Sequence, residues 1–174
     1  MRFLSLLLIL VTLLVGCSSS SLLSAIKKEG RKNVDVLFQD DIDQVVIFLS
    51  EDDTGQSMLS LNTYSMENSR YRYASGTGEI AQNIDLKDQY EIVSISTVGN
   101  SSVKALWGVV INYPDATAVS YILKNVEDKE IYKSEVKIKE KNVVYEKLPA
   151  VIYEQTESIH YKILDGENNV LVEK

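Results

Sequence analysis

The sequence predicts an all-β protein, an antiparallel β-sandwich with a short helix near its N-terminus. Three observations predict this class. Short segments rich in valine, isoleucine and tyrosine recur along the chain between Gly-, Asn- and Asp-containing turns, which is typical of sandwiches and barrels. Residues 132–138 alternate with a period of two, which indicates a half-buried antiparallel strand. Residues 45–49 are apolar on both faces, as a central strand should be.

The individual elements follow in chain order. Apolar residues at helical spacing between residues 22 and 26 predict one or two turns of helix, ended by Gly30. Turns are predicted at 40–43, 51–55 and 125–129, because Asp, Asn and Gly suit turn conformations. The predicted strands are 34–39, 44–49, 58–64, 70–74, 79–84, 90–98, 104–111, 119–123, 132–138, 143–146, 151–154, 158–164 and 170–172.

Residues 1–16 have the layout of a secretory signal peptide. Arg2 supplies a positive charge, and residues 3–14 form a short apolar run. Four serines at 18–21 end this run short of the roughly 20 apolar residues that a transmembrane helix needs. The boundary resembles the lipobox of bacterial lipoproteins, with the residues Leu14, Val15, Gly16 and Cys17.

The lipobox resemblance implies cleavage between Gly16 and Cys17 and diacylation of Cys17. The chain would then be held on the extracytoplasmic face of a cell membrane, since two lipid chains suffice for stable attachment. An ordinary signal peptide followed by an incidental cysteine is the alternative. Cys17 is the sole cysteine, so no intramolecular disulfide can form. This favours a Gram-positive envelope, and the serines predict a short tether.

Cleavage after Gly16 would leave 158 of the 174 residues, enough for one domain. We predict a lipidated tether and short basic helix over 17–33 and a β-rich extracytoplasmic domain over 34–174. The polar turn at 99–102 predicts a division of that domain into sub-regions 34–98 and 103–174. The 17 basic and 25 acidic residues that remain give a net charge of −8. This charge argues against a nucleic-acid partner, because phosphate neutralisation dominates such binding.

Four segments after the basic stem carry a second resemblance. They read VVIF at 45–48, GTGEI at 76–80, LWGVVIN at 106–112 and ILDGENNVL at 163–171. Their order resembles small uncharacterised lipoproteins of Bacillus-type bacteria. The resemblance implies an immunoglobulin-like sandwich in the second half of the chain. It implies no activity and no catalytic residue.

Charge is unevenly distributed near the N-terminus. A basic cluster follows the predicted anchor, and residues 33–69 then contain no basic side chain. One hypothesis is that the cluster lies on anionic headgroups, at about 1 kcal/mol for each basic residue, while the acidic block faces away. Ordinary solvated faces and turns are the alternative. The candidate membrane-contact residues are Lys27, Lys28, Arg31 and Lys32.

Catalytic and metal-binding patterns are sparse. There is no G-x-S-x-G turn, and Cys17 would be consumed by lipid. The sole histidine, His160, lies on the strand face opposite Ile159 and Tyr161, which predicts exposure to solvent. One histidine and no available thiol cannot supply the usual zinc ligands. We therefore predict no cofactor and no catalytic residue.

Some clusters allow an alternative interpretation. The acidic groups at 40–43 and 51–53 supply calcium-type oxygen ligands but do not match an EF-hand loop. Alternation over residues 70–73 puts two arginines on one strand face and two tyrosines on the other, either as a binding surface or as an ordinary half-buried strand. Trp107 has apolar neighbours, which predicts a core position.

The sequence therefore predicts a non-enzymatic, membrane-anchored module that binds an envelope protein. The alternative from another class is a small cell-envelope hydrolase that uses paired carboxylates. A solute-binding protein is disfavoured, because 158 residues of mostly strand do not readily form two lobes around a ligand.

Overall fold

The computed structural model describes residues 18–174, so Cys17 and the predicted signal peptide lie outside the described residues. The described chain is dominated by strands, all paired antiparallel. In chain order its elements are α1 (Leu22–Lys28), β1 (Lys32–Asp40), β2 (Val45–Glu51), β3 (Ser57–Glu67), β4 (Arg70–Tyr73), β5 (Ile80–Asn83), β6 (Tyr90–Thr97), β7 (Lys104–Ile111), β8 (Ala116–Lys124), β9 (Glu130–Lys137), a 3-10 turn (Glu140–Asn142), β10 (Val143–Leu148), α2 (Ala150–Gln155), β11 (Ser158–Asp165) and β12 (Val170–Glu173).

The strands form three sheets. In the first sheet, the order is β1-β2-β3. The first half of the long strand β3 also pairs with β5, and its second half pairs with β4. The second has the order β10-β7-β6, and the third has the order β12-β11-β8-β9. The chain crosses between the second and third sheets after β7, β9 and β10, which gives an immunoglobulin-like sandwich of three plus four strands. The predicted fold class is confirmed.

The three-stranded sheet is the middle layer of the domain. Trp107 of β7 packs with Val45 and Ile47 of the first sheet. Leu106 and Val110, on the opposite face of β7, pack towards the third sheet. A strand between two apolar layers has both faces buried, which explains why residues 104–111 are apolar on both faces.

Helix α1 covers the outer face of the first sheet. Its buried residues pack against Phe48 of β2 and Tyr73 of β4. Ser21 caps the helix by accepting a hydrogen bond from the Ser24 amide at 3.2 Å. Gly30 follows the helix at a φ of +85°, the left-handed conformation that commonly ends helices. The buried residues of α1 are Leu22, Ala25 and Ile26.

The strand predicted at residues 151–154 is wrong, because this segment is helix α2. Pro149 precedes the helix at a φ of −59°, and the Thr156 hydroxyl donates to the Ile152 carbonyl at 2.7 Å near its end. Ile152 packs into the core between the second and third sheets. A four-residue apolar run fits a helical turn as well as a strand, so its period could not distinguish them.

The polar turn at 99–102 does not separate the sheets. It joins β6 to β7 within the middle sheet, where the Val98 amide donates to the Val103 carbonyl at 2.9 Å. The change of sheet falls earlier, between β5 and β6. Polar composition indicates a turn, but it does not reveal whether the flanking strands pair with each other.

Candidate functional site

The described chain is held against the domain from its first residues. The Ser19 amide donates to the Tyr71 carbonyl, and the Tyr71 amide donates back to Ser19, both at 2.8 Å. Lys28 Nζ donates to the Ser18 carbonyl at 3.1 Å, and Arg70 reaches Ser18 Oγ at 3.4 Å. Ser18 and Ser19 therefore do not form the free tether that the serine run predicts.

Strand β4 presents its arginines to solvent beside this segment. Arg70 and Arg72 are exposed, while Tyr71 and Tyr73 contact the core under α1. The alternation seen in the sequence thus describes a half-buried strand. A small cleft opens next to Ser18 and is lined by Ser65, Glu67, Asn68, Arg70 and Arg72.

The structure separates the four basic residues that the sequence groups together. Lys27 and Lys28 are exposed on α1, and Lys28 reaches Ser18. Arg31 instead forms an ion pair with Glu79 at 2.7 Å. Lys32 lies 3.2 Å from Asp53, on the turn between β2 and β3. Of the predicted contacts, Lys28 therefore joins the two arginines of β4, whereas Arg31 and Lys32 pair with acids elsewhere.

The Arg31–Glu79 pair belongs to a buried polar cluster. The Glu79 side chain is only 3% exposed. Arg31 Nε, Glu79 Oε2 and the Tyr73 hydroxyl are also buried, without a hydrogen-bond partner within residues 18–174. Burial raises the pKa of Tyr73. Arg31 and Glu79 are 48 residues apart and no local pattern in the sequence connects them, so this cluster was not predicted.

The acidic turns use their own oxygens for local structure. Asp40 Oδ1 accepts from the amides of Ile42 and Asp43 at 2.9 and 3.1 Å. Asp52 Oδ1 accepts from the Thr54 amide at 2.8 Å. Such bonds are the ordinary reason for aspartate in turns. No group of three or more His, Cys, Asp or Glu residues in the described part of the chain is arranged to hold a metal ion.

Two glutamates lie between the second and third sheets, one on each edge strand of the middle sheet. Glu91 of β6 accepts a hydrogen bond from the Tyr113 hydroxyl at 2.6 Å and pairs with Lys174. Glu146 of β10 accepts from the Tyr121 hydroxyl at 2.9 Å. Each carboxylate thus links the edge of one sheet to groups across the sandwich.

The spacing of Glu91 and Glu146 bears on the hydrolase alternative. Glu91 lies opposite Val110 and Glu146 lies opposite Leu106, and these two partners are four residues apart on the intervening strand β7. The two glutamates are separated by two inter-strand spacings and are offset by four residues along the strands. This puts their Cα atoms about 17 Å apart. A glycosidase pair needs about 5–10 Å between its carboxyl groups. Each of the two carboxylates is engaged by its own partner, Tyr113 for Glu91 and Tyr121 for Glu146.

Glu91 gives a testable pH dependence. Burial alone raises its pKa, but hydrogen bonds from Lys174 and Tyr113 outweigh burial and lower the pKa below its ordinary value. Stability from a lowered pKa is present above the ordinary value of 4.5 and is lost as the pH falls. We expect the free energy of unfolding to fall less steeply between about pH 6 and about pH 3 in Glu91→Gln than in the wild type, measured by urea titration.

The matched control for this prediction is Glu135→Gln on β9, where the glutamate is exposed. It should retain the wild-type pH dependence. Identical slopes for Glu91→Gln and the wild type would contradict the role assigned to Glu91.

The outer face of the four-stranded sheet is a second candidate surface. Ile122 of β8 lies in register between His160 of β11 and Lys133 of β9. Ser120, two residues earlier, lies between Lys162 and Glu135 in the same way. His160 is exposed, as its strand position predicts. A cleft opens on this part of the sheet and is lined by Ser120, Tyr121, Ile122, Lys133, His160, Tyr161, Lys162, Glu173 and Lys174.

No protein-family model, curated protein or solved structure matches this chain. The fold defines the class, an all-β protein of packed antiparallel sheets with a short helix near the N-terminus. Across residues 18–174, no helix combines the length and apolar character needed to cross a bilayer.

Proposed function

We propose that this chain is a lipid-anchored, non-enzymatic module on the extracytoplasmic face of a cell membrane, and that it binds an envelope protein. The observation that carries the proposal is the attachment of Ser18 and Ser19 to β4. They follow Cys17 directly, so acyl chains on this cysteine would attach beside a folded surface. The lipobox resemblance supplies the reason to expect those chains.

The outer face of the four-stranded sheet is the surface that we assign to the protein partner. It belongs to the last layer of the domain, whereas Ser19 bonds to the first sheet. Its cleft has a partly exposed Ile122 between the polar residues His160 and Lys133. An apolar centre with a polar rim is the usual anatomy of a protein interface.

Most of the charge around the cleft is paired within the chain. The chain is acidic as a whole, with a net charge of −7. Of the lysines that line the cleft, Lys162 pairs with Glu173 and Lys174 pairs with Glu91, and Glu135 lies beside Ser120 on the same face. Lys133 is the cleft lysine without an ion pair in residues 18–174. Complementary charge mainly increases the association rate and fixes the orientation of partners. With its charges mostly paired, we expect high salt to have only a small effect on partner binding.

Replacing Cys17 by alanine tests the anchor. Without the thiol no lipid can be attached, so we expect the chain to move from the membrane fraction to the soluble fraction. Immunoblotting of fractionated cells measures the change, and mass spectrometry of the wild type should show a diacylated Cys17. Ser20→Ala, at an exposed serine, is the matched control and should stay in the membrane fraction. An unmodified Cys17 in the wild type would refute the anchor.

In-cell photo-cross-linking tests the partner surface. A photoreactive amino acid at Lys133 or His160 should give one reproducible protein adduct, since both residues flank Ile122. The same group at Lys87, an exposed residue outside this face, should not give it. Ile122→Asp should remove the adduct by placing a charge at the centre of the surface. Absence of adducts from both flanking positions would refute this surface.

A further inference from the structure

Basic side chains gather where the described chain begins. Lys28 and Arg70 both reach Ser18, at 3.1 Å and 3.4 Å. Arg72 lines the same cleft as Arg70 and Ser18. These three residues come from α1 and β4 and were not grouped by the sequence pattern. We call Lys28, Arg70 and Arg72 the basic triad.

The basic triad is exposed and is not neutralised by the rest of the described chain. Its three side chains form no ion pair with a carboxylate within residues 18–174. Lys27 adds a further exposed positive charge on α1. Glu67 also lines the cleft, and Glu29 follows α1, where it accepts a hydrogen bond from Ser75. Four basic groups against two acidic ones leave a positive local charge on an acidic protein.

We propose that the basic triad docks on anionic phospholipid headgroups and thereby fixes the orientation of the domain on the membrane. This inference rests on the proposed lipid anchor at Cys17. One residue of extended chain spans at most about 3.6 Å. Acyl chains on Cys17 would therefore enter the bilayer within reach of side chains that already contact Ser18.

The chemistry of the triad suits phosphate. A guanidinium group presents parallel N–H donors that match two phosphate oxygens, and an ammonium group adds a compact positive charge. Each basic residue close to an anionic surface raises the binding constant roughly fivefold. In the docked orientation, α1 and the β3–β4 hairpin face the bilayer. The outer face of the four-stranded sheet, in the last layer of the domain, stays accessible to a protein partner.

Fluorescence quenching on reconstituted vesicles tests the orientation. The lipidated full chain is labelled at an introduced cysteine, Ser65→Cys, which lines the cleft beside Arg72. The vesicles contain phosphatidylglycerol and phosphatidylcholine, with a quencher on some headgroups. We expect strong quenching at Ser65→Cys that falls at high salt. A label at Glu135→Cys, exposed on β9, should show little quenching.

The triple variant Lys28→Ala/Arg70→Ala/Arg72→Ala should lose most of this quenching while the chain still sediments with the vesicles. Its control, Lys87→Ala/Lys137→Ala/Lys139→Ala, removes three exposed positive charges elsewhere and should behave as the wild type. Circular dichroism melts check that the variants remain folded, and a triad variant that unfolds is replaced by the charge-reversal variant Arg70→Glu.

The outcomes separate the two proposals. Failure of the wild type to sediment with vesicles would refute the lipid anchor and the docking together. Sedimentation without quenching at Ser65→Cys would refute the docking alone. Equal quenching in vesicles of phosphatidylcholine only, or quenching unaffected by the triad variant, would also overturn the docking. Quenching that requires a protein in the vesicles would assign the triad to a protein partner instead.

Discussion

Replacing Gly108 by alanine is expected to lower the free energy of unfolding by about 3 kcal/mol or more. A Cβ at this position would lie 1.8 Å from the Ile92 carbonyl oxygen and 2.8 Å from its carbonyl carbon. Both atoms belong to the backbone of β6, which pairs with β7 along its whole length. The clash cannot be relieved by a side-chain rotation, so β6 must move and break its pairing.

The matched control is Gly166→Ala, in the turn between β11 and β12. There the nearest atom outside the turn would be 3.8 Å from the new Cβ, an ordinary contact distance. Urea titrations of the two variants and the wild type measure the difference. A Gly108→Ala protein within about 0.5 kcal/mol of the wild type would show that the middle sheet is looser than its geometry indicates.

The position of Gly108 also shows how far the sequence could predict the fold. Apolar residues on both faces of 104–111 predict a buried strand, and the structure confirms it. The pattern does not reveal that a whole further sheet packs on each side of β7. That arrangement depends on contacts between residues as far apart as Ile47 and Trp107, which no local period encodes.

The candidate surfaces were predictable to different degrees. Exposure of His160 and of the β4 arginines follows from strand alternation alone. Their neighbours depend on register and on packing between distant segments. Lys28 and Arg70 both reach Ser18 because Ser19 bridges to Tyr71 and α1 packs beside β4. Arg31 and Lys32 are adjacent in the sequence, but they form ion pairs with different acidic residues.

Removal of the Glu79 carboxylate, by Glu79→Ala, is expected to destabilise the domain by about 3 kcal/mol. The variant would leave the Arg31 guanidinium, whose side chain is 23% exposed, without its ion pair. Breaking a buried pair from one side is costly because the remaining charge stays desolvated. Urea titration measures the loss, and Glu67→Ala, at an exposed glutamate, should change stability by no more than about 0.5 kcal/mol.

A double variant distinguishes the lost ion pair from a simple cavity. Arg31→Met/Glu79→Leu removes both charges and keeps most of the buried volume, so it should recover much of the stability that Glu79→Ala loses. If a cavity caused the loss, Glu79→Gln would restore stability fully, because it fills the same space without the charge. A Glu79→Ala protein as stable as the Glu67→Ala control would contradict the proposed role of the pair. Because Arg31 lies three residues after the end of α1 at Lys28, the same variants should also loosen α1 and weaken the contact of Lys28 with Ser18.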